Sequence, residues 1–150
     1  MRKLIVGIGL LVAGPSLAGV SVTDCVIVEP IANKTHTALY FNVDYTLNND
    51  MKALRLPSPE AILGGEISTL SDHVEMHKTI MDNGVMKMAQ VPKIFLNENS
   101  RVSLEKGGLH FMLFDLKKRP IEGESYPVNI WFSYLGDVQC TADVLKVQNL

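Results

Sequence analysis

The stretch His73–Val91, HVEMHKTIMDNGVMKMAQV, sets two runs of strand-forming residues around Asp82-Asn83-Gly84. Asn and Gly tolerate the positive φ that tight hairpin turns require, so the segment reads as a β-hairpin with its tip at those three residues. A two-residue Asn83-Gly84 loop would set Met81 opposite Met86, Thr79 opposite Met88 and His77 opposite Gln90. His77 and Met88 would then be diagonal neighbours on one face, about 7 to 8 Å apart at the backbone and within reach of long side chains.

Outward from this hairpin the same pattern recurs. Short β-rich runs occupy Val20–Glu29, Ala38–Asn48, Lys52–Leu56, Ser68–Ile80, Val85–Val91, Arg101–Leu104, His110–Leu116, Tyr126–Leu135 and Val138–Val147. Between them lie turn residues such as Asn48-Asn49-Asp50, Pro57-Ser58-Pro59, Gly107-Gly108 and Glu122-Gly123-Glu124. Helical periodicity is hard to find, and Pro59–Gly65 reads at most as a short helical turn ended by its glycines. Strands in this number predict an all-β sandwich or barrel.

Residues 1–18 read as an export signal. Arg2 and Lys3 precede the apolar run Leu4–Ala13, and Ser16-Leu17-Ala18 supplies small residues for cleavage after Ala18. An apolar run of about ten residues is too short for a bilayer span, which needs about 20. Thr23-Asp24 ahead of Cys25 is the wrong chemistry for lipidation. The expectation is a single domain over 19–150, monomeric, in the periplasm, without stable membrane insertion. Formal net charge is −2, and loss of Arg2 and Lys3 makes the mature chain more acidic, which excludes nucleic acid as a partner. Cys25 and Cys140, in a chain bound for an oxidising compartment, are candidates for a disulfide joining the first and last strands; two separately buried thiols are the alternative.

Of the chain's 7 methionines, Met76, Met81, Met86, Met88 and Met112 fall in one stretch with three of its 4 histidines. Taken singly, each is ordinary, because methionine fills core gaps and a strand histidine finds a hydrogen bond. Their spacing adds more. His110 and Met112 are one residue apart in a strand and share a face, while Phe111 and Leu113 turn to the core. Thioethers are soft, neutral donors that suit Cu(I) and are poor ligands for zinc, calcium or magnesium, and imidazole is acceptable to copper. Methionine also forms no disulfides, so it can serve for Cu(I) where cysteine would be oxidised.

His77 is followed by ten residues and Met88, then by twenty-one residues and His110-Phe111-Met112. With Val74-Glu75-Met76-His77, Gly84-Val85-Met86-Lys87-Met88 and Gly107-Gly108-Leu109-His110 around it, the chain resembles the periplasmic copper chaperones of the PCu(A)C family, whose signature has this spacing. The resemblance spans about Val20–Val147 and is sharp between Glu75 and Leu116. It implies a cupredoxin-like Greek-key β-sandwich that holds one Cu(I) through His77, Met88, His110 and Met112. It implies delivery towards a respiratory oxidase copper centre, through a copper-accepting oxidase subunit or assembly factor. Two departures stand out: Lys146–Leu150 lacks a His- and Met-rich tail, and Asp24–Val28 lacks a tryptophan.

Other residues take lesser roles. Met86 shares a face with Met88 and reads as an outer ligand or a spare. Met76 points to the core, His36 to the surface, and His73 with His77 lacks the hard ligands zinc needs. No Ser, His and Asp grouping suggests an enzyme, and no His and Met follow Cys140 as a blue-copper site requires. Copper storage and a metal-free structural sandwich remain the rival readings. The glycines near His110 and the hairpin tip place the site at one end of the sandwich, ringed by apolar residues.

Overall fold

A computed structural model describes residues 19–47 and 59–150, with Lys52 and Arg55 between them. The export signal expected at residues 1–18 lies outside the described residues, as does most of the run expected as a strand at Lys52–Leu56, of which the two described residues, Lys52 and Arg55, have helical and turn backbone. The described residues form ten strands: β1 (Val20–Val28), β2 (Thr37–Tyr45), β3 (Glu60–Glu66), β4 (His73–Asp82), β5 (Val85–Gln90), β6 (Ile94–Leu96), β7 (Ser100–Leu104), β8 (Leu109–Phe114), β9 (Ser125–Phe132) and β10 (Asp137–Leu145). A 3-10 turn, Val147–Asn149, follows.

The strands make one continuous ladder in the order β5-β4-β8-β2-β1-β10-β9-β3-β6, with β7 paired to the far half of β2. Among the described residues only β1 and β10 run parallel; every other pair is antiparallel. Strict alternation explains how the ladder encloses a core. Thr37, Leu39, Phe41, Val43 and Tyr45 of β2 are buried while the residues between them are not, and Tyr126, Val128, Ile130 and Phe132 repeat this on β9. Phe41 meets Phe111 edge-on at 5.0 Å, and burying each such ring contributes about 2 to 3 kcal/mol.

Cys25 and Cys140 are disulfide-bonded, with Cα atoms 6.5 Å apart across a sequence separation of 115. A bulge between Thr23 and Val26, with Asp24 at φ 54°, leaves Cys25 buried beneath β1.

Pro59–Gly65 is not a helical turn; Glu60–Glu66 is strand β3. Its glycines are there for contact, not to end a helix. Gly64 sits at a bulge with φ 152°, where an added Cβ would lie 3.2 Å from the Trp131 ring, and a Cβ on Gly65 would come within 2.6 Å of the Asn129 carbonyl oxygen. Glu60, buried at 1% exposure, anchors the strand's start. Its carboxylate accepts backbone N–H bonds from Ala61 (2.9 Å), Ser133 (2.7 Å) and Tyr134 (3.2 Å). Strand β6, three residues long, was too short to show a period.

Candidate metal centre

The hairpin forms in the register that a two-residue turn dictates. Asn83 and Gly84 take φ 50° and 77°, Asp82 pairs with Val85, and Met81, Thr79 and His77 stand opposite Met86, Met88 and Gln90. On its other side β4 pairs with β8, setting His77 directly opposite His110 and Glu75 opposite Met112. Met88, His77, His110 and Met112 therefore occupy one face across three adjacent strands. Their neighbours Met76, Phe111 and Leu113 are buried in the core on the other face.

The two imidazoles lie with ring centroids 5.8 Å apart. Each uses one nitrogen structurally. His77 Nε2 donates to Glu75 Oε2 at 2.7 Å, because a carboxylate can only accept. His110 Nδ1 donates to the Gly108 carbonyl at 3.1 Å, and that carbonyl also accepts the Thr79 N–H at 3.1 Å. The remaining nitrogens, His77 Nδ1 and His110 Nε2, are buried without a hydrogen-bond partner. An unpartnered buried acceptor costs about 1 to 3 kcal/mol, so two on adjacent histidines require a chemical reason. Both are lone-pair donors in these tautomers.

The surroundings of His110 favour its neutral ring, with a free lone pair. Burial, followed by the neighbouring His77, pushes the His110 pKa down, and only the Gly108 hydrogen bond opposes this. Glu75 is held below the ordinary carboxylate range, first by its bond to His77 and then by His73, whose Nε2 lies 2.9 Å from Glu75 Oε1. The same bond to Glu75 raises the His73 pKa, with Asp115 helping. Glu75 thus bridges two histidines, an arrangement sequence reasoning missed although residues 73, 75 and 77 share a strand face.

His110, Met112, Met88 and Met86 line one cavity of about 350 Å³, completed by Ala38, Tyr40, Thr79, Lys106 and Gly107. His77 is not on its wall; its side chain is 13% exposed beside Glu75. Met88 is 55% exposed, so the cavity opens where a thioether meets solvent. Lys106 puts a charge on a rim expected to be apolar, because the tight turn into β8 brings it there with Gly107. His36 is half-buried against Phe114, at 6.4 Å, instead of lying free at the surface. Among the described residues no three His, Cys, Asp or Glu side chains converge as a metal site.

The model of the LpqE-like family matches residues 20–144, from the first strand to the last. The chain belongs to the LpqE-like family. This LpqE-like chain is also 30% identical over 99 residues to an uncharacterised protein of Rickettsia prowazekii (strain Madrid E), RP573, covering 65% of this chain and 49% of that protein. It thus spans about half the length of the curated relative it matches. Among solved structures it is similar to the copper-bound PCuAC domain from PmoF2, at 20% identity and TM-score 0.67, covering 97% of this chain and 99% of that one. It is similar to apo-DR1885 from Deinococcus radiodurans at 18% identity and TM-score 0.59, covering 97% and 91%. The CuI-DR1885 structure from the same organism matches at 20% identity and TM-score 0.60, covering 83% and 76%. At such identities the likeness is one of fold: the LpqE-like chain has the cupredoxin-like β fold of PCuAC domains.

Proposed function

We propose that this chain is a periplasmic Cu(I) metallochaperone that carries one ion and hands it to a copper-accepting oxidase subunit or assembly factor. The observation that carries the reading is the pair of buried, unpartnered nitrogens, His77 Nδ1 and His110 Nε2, on directly opposed residues. With the thioethers of Met88 and Met112 on the same face, these nitrogens make a neutral, soft donor set that fits a monovalent d¹⁰ ion better than a divalent one. Both solved relatives named above as copper-bound or CuI-bound share the fold, which supports the same cargo.

Delivery is favoured over storage by exposure. Met88, 55% exposed, lets an incoming ligand attack the cargo directly. An export signal at residues 1–18 and the Cys25–Cys140 disulfide suit an oxidising compartment. Among the described residues no helix is long and apolar enough to cross a membrane. The face offers soft cargo ligands, so a carrier is proposed.

Cu(I) titration against a competing chelator tests this. One ion per chain should be retained, and the double variant His110→Ala with Met112→Ala should lose it. A retained ion in that variant, or no binding by the unaltered chain, overturns the reading.

A further inference from the structure

A row of thioethers continues from the cavity to the hairpin tip. Met81 and Met86 are direct cross-strand partners, so both stand on the face that carries His77 and Met88. They are 66% and 64% exposed. Met86 lines the cavity with Met88, His110 and Met112, whereas Met81 lies outside it, one step further towards the tip.

Core packing does not account for this pair. It explains Met76, at 5% exposure, but neither Met81 nor Met86 belongs to the buried cluster. The turn is held without them, by the positive φ of Asn83 and Gly84 and by the Lys87 to Asp82 ion pair at 2.5 Å. Directly opposed side chains have Cβ atoms about 4.5 to 5.5 Å apart, and two unbranched thioethers at that spacing can close on one soft ion.

We propose that Met81 and Met86 form a second, weaker Cu(I) station at the hairpin tip, exchanging its ion with the inner site by way of Met86 and Met88. The inference rests on the inner site's being a Cu(I) site. Two neutral ligands in water, with no imidazole, hold the ion less tightly than the inner set, so a chelator leaves one ion on the chain. Exchange needs no redox partner: the ion stays Cu(I), one thioether bond forming as another breaks.

The test follows methionine methyl resonances of the unaltered chain during titration with Ag(I), a redox-inert, soft d¹⁰ probe. The first equivalent should shift Met88 and Met112, and further Ag(I) should shift Met81 and Met86 together. The single variant Met81→Leu keeps volume and apolar character and leaves the cavity-lining Met86 in place. It should keep the first response and lose the second, and should pass Cu(I) to an added thiol more slowly. Unmoved Met81 and Met86 at excess Ag(I), or unaltered transfer by the leucine variant, overturns the station; the latter would mark the tip as an apolar docking surface only. A first equivalent that leaves Met88 and Met112 unmoved overturns the inner-site reading itself, which separates the two failures.

Discussion

Glu75 Oε2 accepts the His77 Nε2 proton at 2.7 Å, and this single bond leaves His77 Nδ1 as the ring's lone-pair nitrogen. Glu75 is itself clamped by His73 through its other oxygen at 2.9 Å. A carboxylate behind a ligating imidazole fixes its tautomer and raises its basicity.

Glu75→Ala should therefore weaken Cu(I) retention by about 10- to 100-fold. Glu75→Gln, whose amide oxygen can still accept from Nε2, should lose less. Chelator competition reads both, with far-UV circular dichroism as the check that strand content is unchanged. Equal affinity in all three chains would remove Glu75 from any role in positioning His77.

The disulfide contributes stability and not cargo binding. Denatured, unreduced protein should show no free thiols. Replacing both Cys25 and Cys140 by Ser should lower unfolding free energy by up to about 5 kcal/mol on the chain-entropy model for a loop of this length. The same variant should still retain Cu(I), since the proposed ligands exclude both cysteine sulfurs. Two free thiols in the unaltered chain would contradict the pairing.

Glu60 offers a test of stability far from the cargo. Glu60→Ala removes the acceptor of the Ala61 and Tyr134 N–H groups, while Ser133 N–H keeps the Ala61 carbonyl at 3.0 Å. A buried donor without a partner costs about 1 to 3 kcal/mol, so a loss of about 2 kcal/mol or more is expected in urea unfolding. Cu(I) binding per folded chain should be unchanged, because among the described residues the Glu60 carboxylate bonds only to β3 and the turn after β9, and not to β4, β5 or β8.

Transfer to a small thiol should be fast and rise with thiol concentration, because Met88 is 55% exposed and open to direct attack. Stopped-flow transfer to excess competitor reads this. A slow rate independent of competitor would mean release through a conformational gate, and storage would replace delivery.

Local chemistry determined a large part of this protein before any folding. Asn83-Gly84 selects a two-residue turn, and that turn alone sets Met81 against Met86 and Thr79 against Met88. Period-2 alternation likewise puts His110 and Met112 on one face and Phe111 and Leu113 on the other. Strand β3 escaped the same logic because its identity depends on partners distant in sequence: the Asn129 carbonyl and Trp131 ring that demand glycine, and the Ser133 and Tyr134 amides that donate to the buried Glu60 carboxylate. Tertiary structure alone decided that β8 lies beside β4 in a register opposing His77 and His110. Sequence spacing can match a ligand pattern, but strand order is set by how the whole ladder closes its core. Only that closure buries His77 Nδ1 and His110 Nε2 together, where loss of water leaves two lone pairs without a hydrogen-bond partner.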